Sequence, residues 1–487
     1  MLSDPISSPN FLRRRRQVAT TTNVGSINKT TAGNQPNTPL PQPRYCPPSA
    51  APVNKAPKQC SLVTTTSSND RLHLVLTRRT KSELSQLHEE LSQHTSASSV
   101  CVYSDSPLVS NGSFSRRQTT DLLTRAALQC KQMKTLQLDF SNEFGPQREV
   151  YLKISLLRKV LEEAPQLTTL LLKDVPLRGD QEDMQELRRA LKQHKFLGSV
   201  QLKWCLEAKP SQPMLPSLLE SLAEDCSSLQ ELTLLVSCGE AKHLPLPSLA
   251  KSKSIRKFKV AIEQRHLTWQ SVEDLQQEQH LVLEFLDTMK TNQIATELTL
   301  YAQHWKPNHT LKAVIDLVES STSTLHKIEM FEYTYGNDKE GKQQLLHLAQ
   351  ALRHNPNLQH FKLHTKRSPG ATETAPMDKK VYQAMLECAQ ENVVLELMEI
   401  SHCDISLSTN PNIQPNSMYP DICRAIEFYV RSNRNGVRRR FLQQDFSAAQ
   451  WLDFVSKEGL NDTPLVFYLL QSNPNLLLSR HKVVFES

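Results

Sequence analysis

The stretch Leu345–Thr365 reads LLHLAQALRHNPNLQHFKLHT. Leu345, Leu348 and Leu352 recur three and four residues apart, which places them on one face of a helix. Pro356 cannot continue that helix, because it offers no N–H and clashes with the preceding turn. Leu358, Phe361 and Leu363 then give an L-x-x-L-x-L pattern. Its last two members alternate, so both point to one side of a short strand. A helix, a break and such a strand make one turn of a coil that can be repeated.

The spacing recurs along the chain. It is met at Met133-Leu136-Leu138, Leu167-Leu170-Leu172, Leu197-Val200-Leu202, Leu229-Leu232-Leu234 and Ile255-Phe258-Val260. It continues at Ala295-Leu298-Leu300, Leu325-Ile328-Met330, Leu358-Phe361-Leu363 and Leu395-Met398-Ile400. From Leu138 to Ile400 the nine anchors advance 262 residues in eight steps, about 33 per repeat. That length leaves room for a full helix per turn. The spacing predicts helices over 150–163, 182–193, 215–225, 272–290, 311–320, 342–353 and 379–390. The turn around 252–264 is the poorest, since its lead-in is short and holds Pro245 and Pro247. No single unit can bury its apolar face alone, whereas stacked units share one core and pass strand hydrogen bonds to their neighbours.

These strands with long intervening helices resemble leucine-rich-repeat proteins of the ribonuclease-inhibitor-like class, over roughly residues 120–405. The resemblance implies an α/β solenoid (a horseshoe) with an inner parallel sheet and outer helices. It also implies an Asn or Cys three residues past the second strand leucine, bonded to backbone. Cys205 and Cys403 match, Ser141 and Ser237 are small polar substitutes, and Val175, Glu263, Gln303, Tyr333 and Lys366 depart from the pattern. The C-terminal part carries Asn433, Gly436, Arg438-Arg439-Arg440-Phe441-Leu442, Trp451-Leu452, Phe467-Tyr468-Leu469-Leu470 and Asn473-Pro474-Asn475-Leu476. This order is similar to the tail of a large uncharacterised family of leucine-rich-repeat proteins of diatoms, and it implies a helical terminal module. Trp451, Phe454, Phe467 and Leu470 fit the buried sides of two short helices, and Asn435-Gly436 a turn.

Residues 1–69 hold ten of the 28 prolines, and eight basic residues against Asp4 alone. Such a segment buries too little apolar surface to offset its ordering entropy, so it reads as a disordered basic tail. It accounts for the whole formal charge of +7, and the rest of the chain balances at 49 basic against 49 acidic residues. On this reading only the tail attracts polyanions. Arg13, Arg14, Arg15 and Arg16 fit a nuclear-import or nucleic-acid contact, although a solvated charge run is the commoner meaning. Leu72, Leu74 and Leu76 alternate as a strand, and Leu84, Leu87 and Leu91 line a helix. With a polar loop over 95–118, residues 70–118 read as an N-terminal cap, 119–410 as the array and 411–487 as a helical C-terminal cap.

Ten scattered cysteines without a C-x-x-C pair fit reduced thiols in an intracellular protein, cytoplasmic or nuclear. No apolar run approaches a bilayer span. Gly336–Gln343 reads G-x-x-x-x-G-K-Q, a phosphate-loop outline. Gln343 replaces the magnesium-holding hydroxyl, and Asp338 and Glu340 put charge where phosphate would sit. His360 and His364 lie about 13 Å apart on a strand, too far to share an ion. No metal, cofactor or catalytic set is expected, and binding is the expected work.

The strand residues between the leucines are the best binding candidates. Tyr301 and Phe331 fall on adjacent strands, flanked by Lys259, Glu329, Lys362 and His364. An aromatic centre with a polar rim is the composition of a protein-binding hot spot. The expected function is a non-enzymatic scaffold gripping a protein on the concave sheet face. The alternative is a nuclear or nucleic-acid-associated protein held by its tail.

Overall fold

The computed structural model describes residues 63–65, 71–76, 89, 96–104, 129–140, 152–204, 214–237, 244–263, 272–302, 307–320, 322–333, 339–365, 378–400, 419–434, 436, 453 and 456–457. All belong to one compact unit, Cys60–Ser487. Arg13–Arg16, the expected helix at 84–91 apart from Glu89, Arg438–Arg440 and the aromatic helices of residues 451–470 lie outside the described residues, apart from Asp453, Ser456 and Lys457.

One sheet organises the unit. Eleven parallel strands follow in chain order: β2 (Arg71–Leu76), β3 (Ser99–Ser104), β4 (Thr135–Asp139), β6 (Thr169–Lys173), β8 (Ser199–Trp204), β9 (Glu231–Ser237), β10 (Lys257–Glu263), β11 (Glu297–Ala302), β12 (Lys327–Tyr333), β13 (His360–Thr365) and β14 (Leu397–Ile400). A twelfth strand, β1 (Val63–Thr65), pairs antiparallel with β2. The register is the one the leucine spacing requires. Leu138, Leu172, Leu202, Leu234, Val260, Leu300, Met330, Leu363 and Ile400 stand opposite one another on successive strands. All nine are at most 4% exposed, so the row is a continuous apolar spine.

The loop expected over 95–118 needs correction. Ser99–Ser104 is a strand, not part of a loop: Val100 and Val102 extend the spine, preceded by buried Ala97 at the same L-x-x-L-x-L spacing. Arg71–Leu76, the strand expected within the N-terminal cap region, pairs with it in parallel. Val63–Thr65, inside the expected disordered tail, lies on the outer edge of Arg71–Leu76.

Helices link the strands: α1 (Ile154–Glu163), α2 (Gln181–Gln193), α3 (Met214–Glu224), α4 (Leu246–Ala250), α5 (Val272–Met289), α6 (Pro307–Glu319), α7 (Lys339–His354), α8 (Lys379–Glu391) and α9 (Pro420–Arg434). Each packs on the next, forming one row. Leu345, Leu348 and Leu352 of α7 are all buried. The Pro245–Pro247 turn keeps only five helical residues, with proline in the first helical turn, where its missing N–H costs nothing. Val150–Lys153, expected as helix, instead places Leu152–Lys153 (β5) beside Leu177–Arg178 (β7) in a separate two-stranded pair. No helix among the described residues is long and apolar enough to cross a membrane.

The backbone ladder that ties turn to turn lies before the strands. Three residues ahead of the first strand leucine stand His194, Cys226, Ser252, Asn292, Asn355 and Asn392, all buried. Asn392 Nδ2 donates to the carbonyls of Leu352 and Asn355 in the preceding turn, at 2.6 and 3.0 Å. Its Oδ1 accepts from Val394 and Leu395 N–H, at 2.8 and 2.7 Å. Asn292 repeats this arrangement, and Asn355 repeats it with a single carbonyl, that of Val318. The side chain thus satisfies three or four backbone groups at a buried corner, where each unmet group would cost about 1–3 kcal/mol. Asn433 closes the series, donating to the carbonyls of Asn392 and Leu395. Val175, at one of the positions where the resemblance implies a polar residue, is fully buried and apolar. Cys205, Cys403 and Ser141 lie outside the described residues.

Candidate functional site

Strand side chains alternate between the helix-covered core and the opposite sheet face, where they remain part-exposed. That opposite face carries all six predicted contact residues. Lys259 lies on β10, Tyr301 on β11, Glu329 and Phe331 on β12, and Lys362 and His364 on β13.

Register aligns them into rows. Lys259, Thr299, Glu329, Lys362 and Glu399 are successive partners across β10–β14. Lys362 reaches both neighbouring carboxylates, Glu399 at 3.3 Å and Glu329 at 3.9 Å. Lys327 holds Glu329 at 3.2 Å and Glu297 at 4.0 Å, and Lys257 bonds Glu297 at 2.6 Å. The result is an alternating chain, Lys257–Glu297–Lys327–Glu329–Lys362–Glu399, along five strands. Glu297 holds the Lys257 ammonium above its ordinary range through a hydrogen bond and its charge. Because these charges neutralise one another, the row is no phosphate-tracking stripe. Lys257, Glu297 and Lys327 sit just before the strand positions used to predict the face, which is why the sequence argument passed over them.

The adjacent row is aromatic. Tyr301 and Phe331 are register partners, their ring centroids 5.8 Å apart with planes at 31°. Phe331 stacks on His364 at 4.4 Å and 12°. Three consecutive strands thus present three contacting rings, all only partly buried. The row continues into buried Ala261 and part-buried Leu235 on β10 and β9. Between Met330 and Tyr333 the register slips, so β12 carries one more residue than β13 beside the rings. Bulges of this kind re-aim side chains and favour functional faces. No sequence pattern announced it.

The remaining candidates are apart from this face. Lys342 of the phosphate-loop outline belongs to α7 and lies 3.9 Å from Asp378, and Gly341 is buried in that helix. Gly336–Asp338 lie outside the described residues. His360 pairs with Glu396 at 3.8 Å. Burial pushes the Cys226 thiol up, and it faces the Leu197 carbonyl at 3.9 Å, the setting of a structural cysteine. Among the described residues no group of three or more His, Cys, Asp or Glu side chains is placed to hold a metal ion.

No protein-family model matches this chain, and no curated protein is similar to it.

Proposed function

We propose that this protein is a non-enzymatic scaffold or adaptor that binds another protein across the β10–β14 sheet face. The observation that carries the reading is the ring row Tyr301–Phe331–His364 beside a self-neutralised ion-pair row. Part-exposed aromatics give contact area at low entropic cost, and an apolar ring centre beside a polar row has the composition of a hot spot with its rim. The chain's finer kinship, to ribonuclease-inhibitor-like leucine-rich-repeat proteins and to their diatom relatives, belongs to the same proposal. It is supported by the nine-fold L-x-x-L-x-L spacing and the parallel register. A cytoplasmic or nuclear setting fits the buried thiol of Cys226, which forms no disulfide.

The test is site-specific photocrosslinking in cells. A photoreactive residue at Lys259 or Tyr301 is expected to give a covalent adduct with a second protein, and one at Glu182 on α2 none. Adducts formed only from the helical side would refute the assignment of the face.

A further inference from the structure

The neutral body hides an asymmetric charge. The turns that lead from the helices into the strands form one edge of the sheet. Their order is fixed by backbone hydrogen bonds: Lys134 O accepts from Thr168 N, Thr168 O from Gly198 N, Gly198 O from Gln230 N, and Gln230 O from Arg256 N. Lys134 and Arg256 therefore occupy one row. Lys131, Lys195 and Lys253 share another repeat position, two residues before the first strand leucine. With Lys251 they make six cations on three of five consecutive turns, those before β4, β8 and β10, all exposed and without an ion pair to any described residue. Five strands at about 4.8 Å spacing span roughly 19 Å. Phe196 stands within this edge, 53% exposed, the most exposed large apolar side chain among the described residues.

Cations after helix C-termini can simply offset the helix dipoles. That role would recur at every turn. The shared position holds Pro165 and Ser227 on the two intervening turns and Gln293, Ser323, Pro356 and Val393 on every later one, so its lysines are confined to the turns before β4, β8 and β10. The carboxylates at the same edge, Glu163, Glu224 and Asp225, belong to the helix ends, and Asp225 lies 3.9 Å from Arg188.

We infer that this edge, from the turn before β4 to the turn before β10, binds single-stranded nucleic acid. The lysines and Arg256 follow the phosphates, and Phe196 stacks a base. Unpaired exposed cations set around a solvent-facing ring match that chemistry, because every base has a stacking face. The site lies on the body of the molecule, on turns distinct from both the basic tail and the Tyr301–Phe331 face, so it stands or falls separately from the scaffold reading.

The test uses the full chain carrying Arg13–Arg16→Ala, which removes the tail's arginine run. The probe is a labelled deoxythymidine strand of about fifteen residues, with an abasic strand of equal length beside it. The combined Lys131→Ala, Lys195→Ala and Lys253→Ala variant is expected to bind at least tenfold more weakly at low salt. Its log–log salt slope should fall by about 2, at roughly 0.7 per lost phosphate contact. Phe196→Ala is expected to weaken the thymidine strand about tenfold and leave the abasic strand unchanged. Unchanged binding by the lysine variant would overturn the site. Equal affinity for both strands, insensitive to Phe196→Ala, would reduce it to a general polyanion surface and overturn the nucleic-acid assignment. All four side chains are exposed, so circular dichroism melts should match the parent protein.

Discussion

Phe331 and His364 lie face to face on adjacent strands, ring centroids 4.4 Å apart and planes 12° apart. The contact is part-exposed, while the neighbouring Met330 points into the core at 4% exposure. The two sides of one strand therefore serve different ends. Phe331→Ala is expected to cost about 1–2 kcal/mol, the scale of lost ring pairing and partial burial. Met330→Ala should cost about 2–5 kcal/mol. Urea denaturation of the two variants checks the order, and a reversed order would contradict the assignment of faces.

The Lys362 ammonium sits between Glu329 and Glu399. Lys362→Glu puts three carboxylates in a row. The variant is expected to unfold at lower urea than wild type, and the gap should narrow between 50 mM and 1 M salt as charges are screened. Lys362→Met should lose much less, because a stem of similar length remains. A salt-independent gap would mean that packing, not charge, decides this position.

His194 occupies the ladder position held by asparagine in later turns. Its Nδ1 accepts from Leu197 N–H at 3.2 Å, and its Nε2 faces the Ala164 carbonyl at 3.3 Å. The neutral ring satisfies both sides and the cation cannot. Burial lowers its pKa, opposed by the Ala164 hydrogen bond. A depressed folded value gives stability that is full above the unfolded value near 6.5 and is lost as pH falls from there through the folded value. His194→Asn keeps an acceptor and a donor without titrating. The variant should lose less stability than wild type between pH 7.5 and pH 5, read from urea midpoints. Parallel pH profiles would contradict this role.

Gly179 has no room for a side chain. A Cβ there would lie 2.9 Å from the Ile154 side chain, which is fully buried. Gly179→Ala is expected to destabilise by about 1–3 kcal/mol through overpacking. A thermal melt equal to wild type would show that the β7–α2 corner yields.

Much of this was legible in the chain. The L-x-x-L-x-L spacing fixes which side chains face the core, and parallel pairing then leaves a single register, so nine strands and seven helices could be placed from spacing alone. Ala97-Val100-Val102 obeys the same spacing but uses small, β-branched residues instead of leucine, and its polar surroundings disguised a rung as a loop. The ladder at His194, Cys226, Ser252, Asn292, Asn355 and Asn392 was hidden because four residue types meet one geometric demand. The six candidate contact residues could be placed on one face because alternation dictates it. Whether their charges pair depends on neighbours about 33 residues away, and the row through Lys257, Glu297 and Lys327 emerges only when strands lie side by side. The cationic edge was masked by summation, since its residues are spread over 125 positions of a body with no net charge.

The central claim is that the ring row grips a partner, and affinity measures it most directly. Isothermal titration with the partner captured from Lys259 or Tyr301 should show Tyr301→Ala with Phe331→Ala weakening binding about 30-fold or more, the loss of a hot spot worth 2 kcal/mol. Lys131→Ala on the opposite theme should leave that affinity unchanged. An unaltered Kd for the double variant, with its fold intact, would contradict the account.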